Sequence, residues 1–487
     1  MKIKRSLLSL LVICHLTLVI EVSSQITFEK TYGGIEYDMG RSVQQTQDGG
    51  YVIAGWTSSF DADSGDVWLI KTDSLGDTLW TRTYGGTGID QGYSVQKTFP
   101  DSGYIISGHT GYDIYLIKTD ASGGTQWTKS YVGSYDEIGY SVRQTVPDGG
   151  YIIVGYTWSI GPNEFEVYLI KTDPLGDSLW TKTYGGQYWQ FGYSVQQTFP
   201  DSGFIITGFK GIDIIGSDLW LIKTNFIGDT LWTKTFGGLG SQYGWSVQQT
   251  QDGGYIITGT SLADVWLIKT DAVGDSLWTK NYGGFSGDEG TSVQQTSDGG
   301  YIIGGLTQSY GAGSIDVYLI KTDSTGNTLW TRTYGGSSSD HAWSVQQTPD
   351  GGYVIAGSTN SFGAGQTDFY LIKTDSLGNS VGVEEKPVIS DQFSVFKLMQ
   401  SHPNPFTHST LIRYEIPMTN DKFQMSNIRL TIYDITGRLV KTLVNESQKP
   451  GVYQLPISNH QLTSSGIYFY RLQAGDFTAT KKLTLIR

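Results

Sequence analysis

Two sets of acidic residues recur at fixed places along the chain and are the first candidates for chemistry. One set stands directly before a repeated run of the type VWLIKTD: Asp66, Asp113, Glu166, Asp218, Asp264, Asp316 and Asp368. The other stands four residues before a repeated SVQQT run: Asp38, Asp90, Glu137, Asp288 and Asp340, with Gln190 and Gln242 at the two remaining places. Rings of oxygen ligands can hold Ca²⁺, but Asp at a turn also accepts backbone N–H bonds. We predict no cofactor, with calcium as the alternative.

Aromatic residues are densest around the third and fourth repeats and are the candidate ligand-binding residues: Trp158, Phe165, Tyr188, Trp189 and Phe191. Because aromatic rings bury a large apolar area, stacking on sugar rings or other flat apolar groups is the functional interpretation. The alternative is that half of these rings pack inside the scaffold. A second aromatic series recurs at the entrance to the SVQQT run and is a candidate lining for a channel mouth: Tyr93, Tyr140, Tyr193, Trp245 and Trp343.

Residue types for catalysis are scarce. Of the six histidines, only His109 and His341 fall within the repeats, in different units and without a repeated partner. The single cysteine, Cys14, lies in the N-terminal apolar run, and the chain has neither HExxH nor a nucleophile elbow. A carboxylate pair of the glycosidase type stays open because acidic residues are plentiful. The sequence therefore predicts a binding protein and not an enzyme, with a carbohydrate-active enzyme as the alternative.

These residues are carried by a repeat that is written seven times. SVQQT or a close variant begins at Ser42, Ser94, Ser141, Ser194, Ser246, Ser292 and Ser344. Each unit of roughly 50 residues contains four short β-rich runs, which in the first unit are GRSVQQT, YVIAGWT, VWLIKTD and LWTRTYGG. We name the four predicted strands A, B, C and D. Turns rich in Asp and Gly separate them.

Tandem four-stranded units of this length are typical of a β-propeller. The last unit ends without strand D, whereas a displaced copy, ITFEKTYGG, stands at residues 26–34. The sequence therefore predicts an all-β, seven-bladed propeller over residues 25–380, in which residues 26–34 complete the blade formed by residues 342–375. Strand D carries an aromatic residue in every copy: Phe28, Trp80, Trp127, Trp180, Trp232, Trp278 and Trp330.

The tryptophans of strand D resemble the tryptophan-docking motif of quinoprotein-type propellers. Their spacing from the preceding glycine agrees with that motif, whereas the Asp-to-Gly spacing is one residue shorter and the blade count differs. We therefore carry over no cofactor from that family. The rings are expected to bridge adjacent blades.

The two faces of the predicted ring differ in how much their loops vary. Because strand direction alternates, the D–A and B–C connections emerge on one face and the A–B and C–D turns on the other. The B–C loops vary in length and the D–A loops in sequence, whereas the other turns hardly change. Variable loops on a constant scaffold commonly carry binding. We predict that a glycan or a protein binds the D–A/B–C face, the remaining alternative being a non-catalytic surface spacer.

Residues 1–24 are predicted to be a signal peptide, since a basic start precedes the apolar run Leu7–Ile20. Their removal takes away three basic residues and Glu21, and changes the net charge from −13 to −15. Such an acidic chain lacks the basic footprint that nucleic-acid binding requires. No later segment is apolar enough for a membrane span, and we expect a monomer.

The repeat stops after Asn379, and residues 381–392 are predicted to be a linker. Alternating strands and turns then predict a small immunoglobulin-like β-sandwich over residues 393–487. Its motif residues are Pro403, Asn404, Pro405, Phe406, Asp434, Gly437, Arg438, Gly466, Tyr468, Lys481 and Lys482. In this order they resemble the C-terminal sorting domain of the type IX secretion system of Gram-negative bacteria. The resemblance implies export through the periplasm, recognition by the outer-membrane translocon, and then release or surface anchoring.

Overall fold

The structure is a computed structural model. It describes residues 25–486 except 61–64, 161–164, 212–215, 239, 382–395, 400, 402–403, 417–425, 449–450, 463 and 476. The predicted signal peptide and all of the predicted linker but Val381 lie outside the described residues.

Seven four-stranded antiparallel sheets follow one another between Phe28 and Thr374. The first fourteen strands are β1 (Phe28–Tyr32), β2 (Asp38–Gln45), β3 (Tyr51–Thr57), β4 (Asp66–Thr72), β5 (Thr78–Tyr84), β6 (Asp90–Lys97), β7 (Tyr104–Thr110), β8 (Asp113–Thr119), β9 (Thr125–Tyr131), β10 (Glu137–Gln144), β11 (Tyr151–Thr157), β12 (Glu166–Thr172), β13 (Ser178–Tyr184) and β14 (Gln190–Gln197). The next fourteen are β15 (Phe204–Gly211), β16 (Ser217–Thr224), β17 (Thr230–Phe236), β18 (Gln242–Gln249), β19 (Tyr255–Ser261), β20 (Asp264–Thr270), β21 (Ser276–Tyr282), β22 (Asp288–Gln295), β23 (Tyr301–Thr307), β24 (Asp316–Thr322), β25 (Thr328–Tyr334), β26 (Asp340–Gln347), β27 (Tyr353–Thr359) and β28 (Asp368–Thr374).

Six blades consist of four consecutive strands, from β2–β5 in blade one to β22–β25 in blade six, whereas blade seven has the order β1-β28-β27-β26. Strand β1 pairs antiparallel with β28, with Phe28 opposite Lys373 and Tyr32 opposite Phe369. The A strands contact one another from blade to blade, and β26 contacts β2. The predicted seven-bladed propeller is confirmed, and so is its closure by the displaced N-terminal strand.

The serine of SVQQT links each blade to the next. In every blade the N–H of the following valine donates to the serine Oγ of the preceding blade at 3.1–3.5 Å. The bond from Val43 to Ser344 crosses the point of closure. Glutamines add a second connection, since Gln44 Oε1 accepts the N–H of Lys97 at 2.7 Å and four further junctions have the same bond. The repeated SVQQT string therefore supplies the hydrogen bonds that connect each blade to the next.

The aromatic ring of strand D packs on the first residue of strand B in the next blade. The seven pairs have centroid distances of 5.8–6.2 Å: Phe28–Tyr51, Trp80–Tyr104, Trp127–Tyr151, Trp180–Phe204, Trp232–Tyr255, Trp278–Tyr301 and Trp330–Tyr353. The C–D turn of the next blade lies against the same ring, because a Cβ added to Gly123 would stand 2.7 Å from Trp80. The prediction that these rings bridge blades is confirmed.

A buried lysine of strand C ties down the A–B turn of its own blade. Lys71 Nζ lies 2.8 Å from Asp48 Oδ2 and donates to the carbonyl of Thr72 at 2.7 Å. Burial alone would raise the pKa of Asp48, but hydrogen bonds from Lys71 and Thr46 lower it to about 2. The remaining pairs are Lys118–Asp101, Lys171–Asp148, Lys223–Asp201, Lys269–Asp252, Lys321–Asp298 and Lys373–Asp350. Buried charges are tolerated here because each has a partner.

The C-terminal region is also built of strands. They are β29 (Lys397–Leu398), β30 (Ser409–Ile416), β31 (Ser426–Asp434), β32 (Leu439–Gln448), β33 (Gly451–Ser458), β34 (Gly466–Ala474) and β35 (Phe477–Leu485), with a 3-10 turn at Asn459–Gln461. One sheet has the order β29-β30-β33 and the other β32-β31-β34-β35. Both contribute to one apolar core that includes Tyr414, Ile432 and Tyr470. This arrangement confirms a small β domain after the propeller.

We predict that Phe28→Ala destabilises the propeller at its closure. The side chain is 5% exposed and packs on Tyr51, so its loss leaves a cavity that costs about 3–5 kcal/mol. The change in unfolding free energy is measured by urea denaturation followed by tryptophan fluorescence. Phe28→Trp is the control, because it restores the residue of the other six blades and keeps the stability. Equal stability of Phe28→Ala and the wild type would contradict the role assigned to this ring.

Candidate functional site

The predicted ligand-binding aromatics lie on the D–A/B–C face where blades three and four meet. Trp158 follows β11 and Phe165 precedes β12, so they stand at the two ends of one B–C loop. Tyr188 and Trp189 precede β14 in the adjoining D–A loop, and Phe191 is the second residue of β14. The antiparallel order of the strands places both loops at the same face.

Four of these five side chains form one cluster, which we call the aromatic stack. Phe165 is its centre: its ring stacks on Trp158 at 5.2 Å and on Phe191 at 5.3 Å, and meets Trp189 edge-on at 5.7 Å. Tyr188 is not part of the stack, and packs against the backbone at Gly211. The sequence therefore predicted the cluster, but only the structure separates Tyr188 from it.

The aromatic stack presents two indoles to solvent on a rigid support. Trp158 is 40% and Trp189 55% exposed, whereas Phe165 and Phe191 are partly buried beneath them. Backbone hydrogen bonds hold the loops in place, since the N–H of Trp158 donates to the carbonyl of Asp136 and the N–H of Gln190 to that of Phe165, both at 3.0 Å. A surface that is ordered before binding loses little entropy when a ligand arrives.

A β-bulge recurs in every A strand and turns one side chain out of the ladder. In blade one the register shifts between Gly40 and Ser42, which leaves Arg41 unpaired. Bulges re-aim the extra side chain. The seven bulge residues, which we call the collar, are Arg41, Tyr93, Tyr140, Tyr193, Trp245, Thr291 and Trp343. Five of them are the aromatics that the sequence assigned to the channel mouth.

Six of the seven collar side chains contact a neighbour, the exception being Thr291, whose hydroxyl donates to the backbone carbonyls of Gly304 and Ala342. Ring centroids are 5.1 Å apart for Tyr93–Tyr140 and for Tyr140–Tyr193, and 4.3 Å apart for Tyr193–Trp245. Phe191 of the aromatic stack lies 6.3 Å from Tyr193 with nearly parallel rings. The aromatic stack and the collar are therefore one continuous aromatic surface.

Arg41 is the cation of the collar and was not singled out from the sequence. Its guanidinium carbon lies 4.2 Å from the ring centroid of Trp343 and 5.7 Å from that of Tyr93. Burial lowers the pKa of Arg41. Within the described ranges, no carboxylate forms an ion pair with this side chain. The sequence does contain a feature that could have identified Arg41: it is an arginine at a repeat position that is aromatic in five of the other six units.

The two histidines of the propeller lie on either side of Arg41. His109 stacks on Tyr93 at 5.9 Å and His341 on Trp343 at 5.8 Å. Burial lowers the pKa of both imidazoles, and the charge of Arg41 lowers that of His341 further. The sequence places them in different units without a repeated partner, but blades one, two and seven are neighbours once the ring closes.

The two carboxylate sets meet at the junctions between blades. A Cβ on Gly85, the first glycine of TYGG, would overlap the carboxylate of Asp66 and stand 2.6 Å from Oδ2 of Asp90. The same Oδ2 accepts the N–H of Gly86 at 2.9 Å. Corresponding pairs are Asp368 with Asp38, Asp113 with Glu137, Asp218 with Gln242, Asp264 with Asp288 and Asp316 with Asp340. These side chains hold the D–A loops, as the structural interpretation of the sequence predicts.

Nine of the twelve recurrent carboxylates are buried, and Asp113, Asp218 and Asp264 are partly buried. Asp90 and Asp368 are each 1% exposed. Burial raises the pKa of Asp368 to about 6, and the nearby Asp38 adds to this effect. Within the part of the chain that the structure describes, no group of three or more His, Cys, Asp or Glu side chains has the geometry of a metal site.

The motif residues of the C-terminal domain hold its last strand. Asn404 donates from Nδ2 to the carbonyl of Lys482 and accepts the N–H of Thr484 at Oδ1, both at 2.8 Å. Phe406 is buried, and its N–H donates to the carbonyl of Thr484 at 3.0 Å. Asn404 and Phe406 of the first motif therefore hold β35 in place through hydrogen bonds to its backbone. Pro403 lies outside the described residues.

The second motif forms the turn between β31 and β32. Asp434 Oδ1 accepts the N–H groups of Thr436 and Arg438 at 2.9 and 3.0 Å. Gly437 has φ +81°, a conformation that favours glycine. Three basic motif residues are exposed: Arg438, Lys481 and Lys482. The hydroxyl of the motif residue Tyr468 donates to the carbonyl of Ser464 at 2.8 Å.

The fold and its loops define a seven-bladed propeller with an aromatic cluster on one face, followed by a β domain whose last strand is held by the motif residues. The family of secretion system C-terminal sorting domains matches residues 400–486. The chain therefore carries a type IX sorting domain, which indicates export to the cell surface or secretion. No helix within the described ranges is long and apolar enough to cross a membrane.

Comparisons with whole proteins add little about the propeller. The search of curated proteins finds no match. Among solved structures, Sqt1 from Chaetomium thermophilum is 10% identical, with 79% of this chain and 97% of that chain covered and a TM-score of 0.44. A puromycin hydrolase mutant is 13% identical, with 80% and 61% covered and a TM-score of 0.46. A Bacteroides caccae protein of unknown function is 11% identical, with 55% and 90% covered and a TM-score of 0.36. Likeness at this level carries no argument about function.

We predict that Gly85→Ala destabilises the junction between blades one and two. The added methyl group collides with Asp66 and Asp90, and overpacking of this kind costs about 1–3 kcal/mol. Gly86→Ala is the matched control, because nothing lies within 4 Å of a Cβ at that position. Thermal unfolding should show a lower midpoint for Gly85→Ala alone. Identical midpoints for the two variants would contradict the proposed packing.

We predict that deletion of residues 393–487 leaves the folded propeller in the periplasm. Without the sorting domain, the translocon has no signal to recognise. Cell fractionation with an antibody against the propeller measures the distribution, and a thermal melt of the retained protein checks that it is folded. Undiminished appearance of the truncated chain outside the cell would contradict the assignment.

Proposed function

We propose that the propeller is a secreted or surface-displayed binding protein that holds a glycan on its D–A/B–C face. The observation that carries this proposal is the aromatic stack, in which the exposed indoles of Trp158 and Trp189 contact Phe165, which in turn stacks on Phe191. The apolar faces of sugar rings pack well against flat aromatic side chains. Trp and Tyr are also the residues that dominate binding energy at protein surfaces.

The way in which the chain is built supports a binding role. The sorting domain delivers the propeller outside the cell, where polysaccharides and surface proteins are the available partners. The scaffold residues repeat from blade to blade, whereas the aromatic stack occurs once, between blades three and four. A feature that occurs once on a repeated scaffold is not required for folding of every blade, which favours a ligand over a structural role.

Catalysis by paired carboxylates has weaker support. Such a mechanism needs both acids within reach of the glycosidic bond. The repeated pairs, such as Asp66 with Asp90, lie beneath the TYGG glycine and accept loop N–H groups. A carbohydrate-active enzyme is therefore the second candidate function. If the propeller is a binding protein, a protein ligand on the same aromatic face is the alternative to a glycan.

We predict that the double variant Trp158→Ala/Trp189→Ala loses glycan binding. Removing two exposed rings takes away most of the stacking surface, so affinity for the glycan that the wild type binds should fall at least tenfold, that is by roughly 1.4 kcal/mol or more. Phe285→Ser is the matched control, because Phe285 is a fully exposed aromatic in a D–A loop outside the aromatic stack. A glycan array followed by calorimetry measures both variants.

The outcome is decided by the comparison of these two variants. Unchanged binding by the double variant would remove the aromatic stack as the site. Turnover of a polysaccharide by the wild type, lost on replacement of one loop carboxylate, would instead favour the enzyme.

A further inference from the structure

We propose that the collar is an acid-binding subsite, in which Arg41 pairs with the carboxylate of a uronic-acid residue in a saccharide whose neighbouring sugars lie on the aromatic stack. This inference rests on the proposed glycan-binding function. It adds the chemical class of the glycan, an acidic saccharide, and the residue that binds its carboxylate, Arg41.

The setting of Arg41 leaves its donors available. The guanidinium group lies between the rings of Trp343 and Tyr93, at 4.2 and 5.7 Å from their centroids. Contact with the two rings restrains the position of the group, while its N–H donors project from the edge of the guanidinium plane. A carboxylate in the same plane can then accept two parallel hydrogen bonds. The arrangement favours a planar acid over a simple point charge.

The donors around Arg41 lack acceptors within the part of the chain that the structure describes. Nε of Arg41 and Nε1 of Trp343 are buried atoms without a hydrogen-bond partner there. Buried donors are nearly always paired in native structures, so an unpaired one calls for an explanation. Nε itself is enclosed, whereas the side chain of Arg41 as a whole is only partly buried, so a ligand meets the guanidinium group at its exposed part. An acidic oxygen is the acceptor with the greatest affinity for a guanidinium group.

The charged and titratable neighbours of Arg41 are compatible with an anion. His341 and His109 flank the site, and Tyr93 and Tyr140 are the ionisable groups that act on the guanidinium. Glu289, an acid on the inner strand of blade six, forms no ion pair with Arg41 among the described residues. Within those residues, no carboxylate of the protein is therefore paired with Arg41.

The collar is connected to the aromatic stack by a path of touching rings. Phe191 lies 6.3 Å from Tyr193, which lies 5.1 Å from Tyr140, and Tyr140 lies 5.1 Å from Tyr93, on which Arg41 rests. A saccharide chain that follows these rings from the exposed indoles ends at the cation. The acidic surface of the protein repels polyanions at long range, so recognition of a uronate depends on this contact.

A second arginine of the inner strands provides a matched control. Arg143 occupies the place that glutamine holds in the other six units. Its Nη1 donates to the carbonyl of Val142 at 2.8 Å, so one of its donors is already used within the chain. Arg143→Gln removes one partly buried cation from the inner strand of blade three and restores the common residue of the repeat.

The experiment titrates the exported protein, by calorimetry, with a panel of uronic-acid oligosaccharides and with the methyl esters of the same compounds. We expect the wild type to bind at least one free acid ten times or more tightly than its ester. Arg41→Gln should reduce the affinity for the free acid to that for the ester, whereas Arg143→Gln leaves it unchanged. Arg41→Lys keeps the charge but loses the planar fork, and should bind the free acid several-fold less tightly than the wild type.

Thermal melts establish whether each variant is folded. If Arg41→Gln does not fold, the affinity of Arg41→Lys for the free acid is the test of the subsite. Equal binding of acid and ester, or an unchanged affinity in the Arg41 variants, overturns the subsite. A preference for sulfated over carboxylated sugars overturns its assignment to uronic acids. Binding of neutral glycans that depends on Trp158 and Trp189 without preference for acids would leave the proposed function intact. Failure to bind any saccharide would overturn both.

Discussion

The pairing of β1 with β28 is the interaction on which the rest of the propeller depends. An open row of blades would expose a strand edge at each end, and such edges are prone to pair with other chains. With Phe28 opposite Lys373, the first strand of the chain becomes the outer strand of the last blade. Both the Val43–Ser344 hydrogen bond and the Phe28–Tyr51 ring contact exist only because this closure brings blades seven and one together.

The contacts between blades also explain why certain residues of the repeat hardly vary from unit to unit. Each repeated feature of a unit serves two neighbours: the serine accepts from the next blade, the strand D ring packs on the next blade, and the TYGG glycine covers carboxylates from two blades. A change in one unit would therefore disturb a second. Loop residues and bulge residues are released from this requirement, and there the units differ.

The candidate site follows from that freedom. The described ends of the D–A and B–C loops are held by backbone hydrogen bonds to their neighbours, and the aromatic stack is built on these ends. The bulge in strand A frees one residue per blade from the hydrogen-bond ladder, and the closed ring gathers these seven side chains into the collar. Variation at one bulge position, such as Arg41, changes the chemistry of the channel without changing the scaffold.

The sequence by itself determined the architecture, because the displaced strand D and the period of the repeat permit one closed arrangement. It also located the aromatic stack and the sorting domain, since both are carried by local strings of residues. Only the tertiary structure separated Tyr188 from the aromatic stack and placed His109, His341 and Arg41 together. Their proximity arises from the meeting of blades one, two and seven, and residues 41 and 341 become neighbours only when the two ends of the propeller join. Such long-range contacts leave no local pattern in the sequence, whereas strand periodicity does.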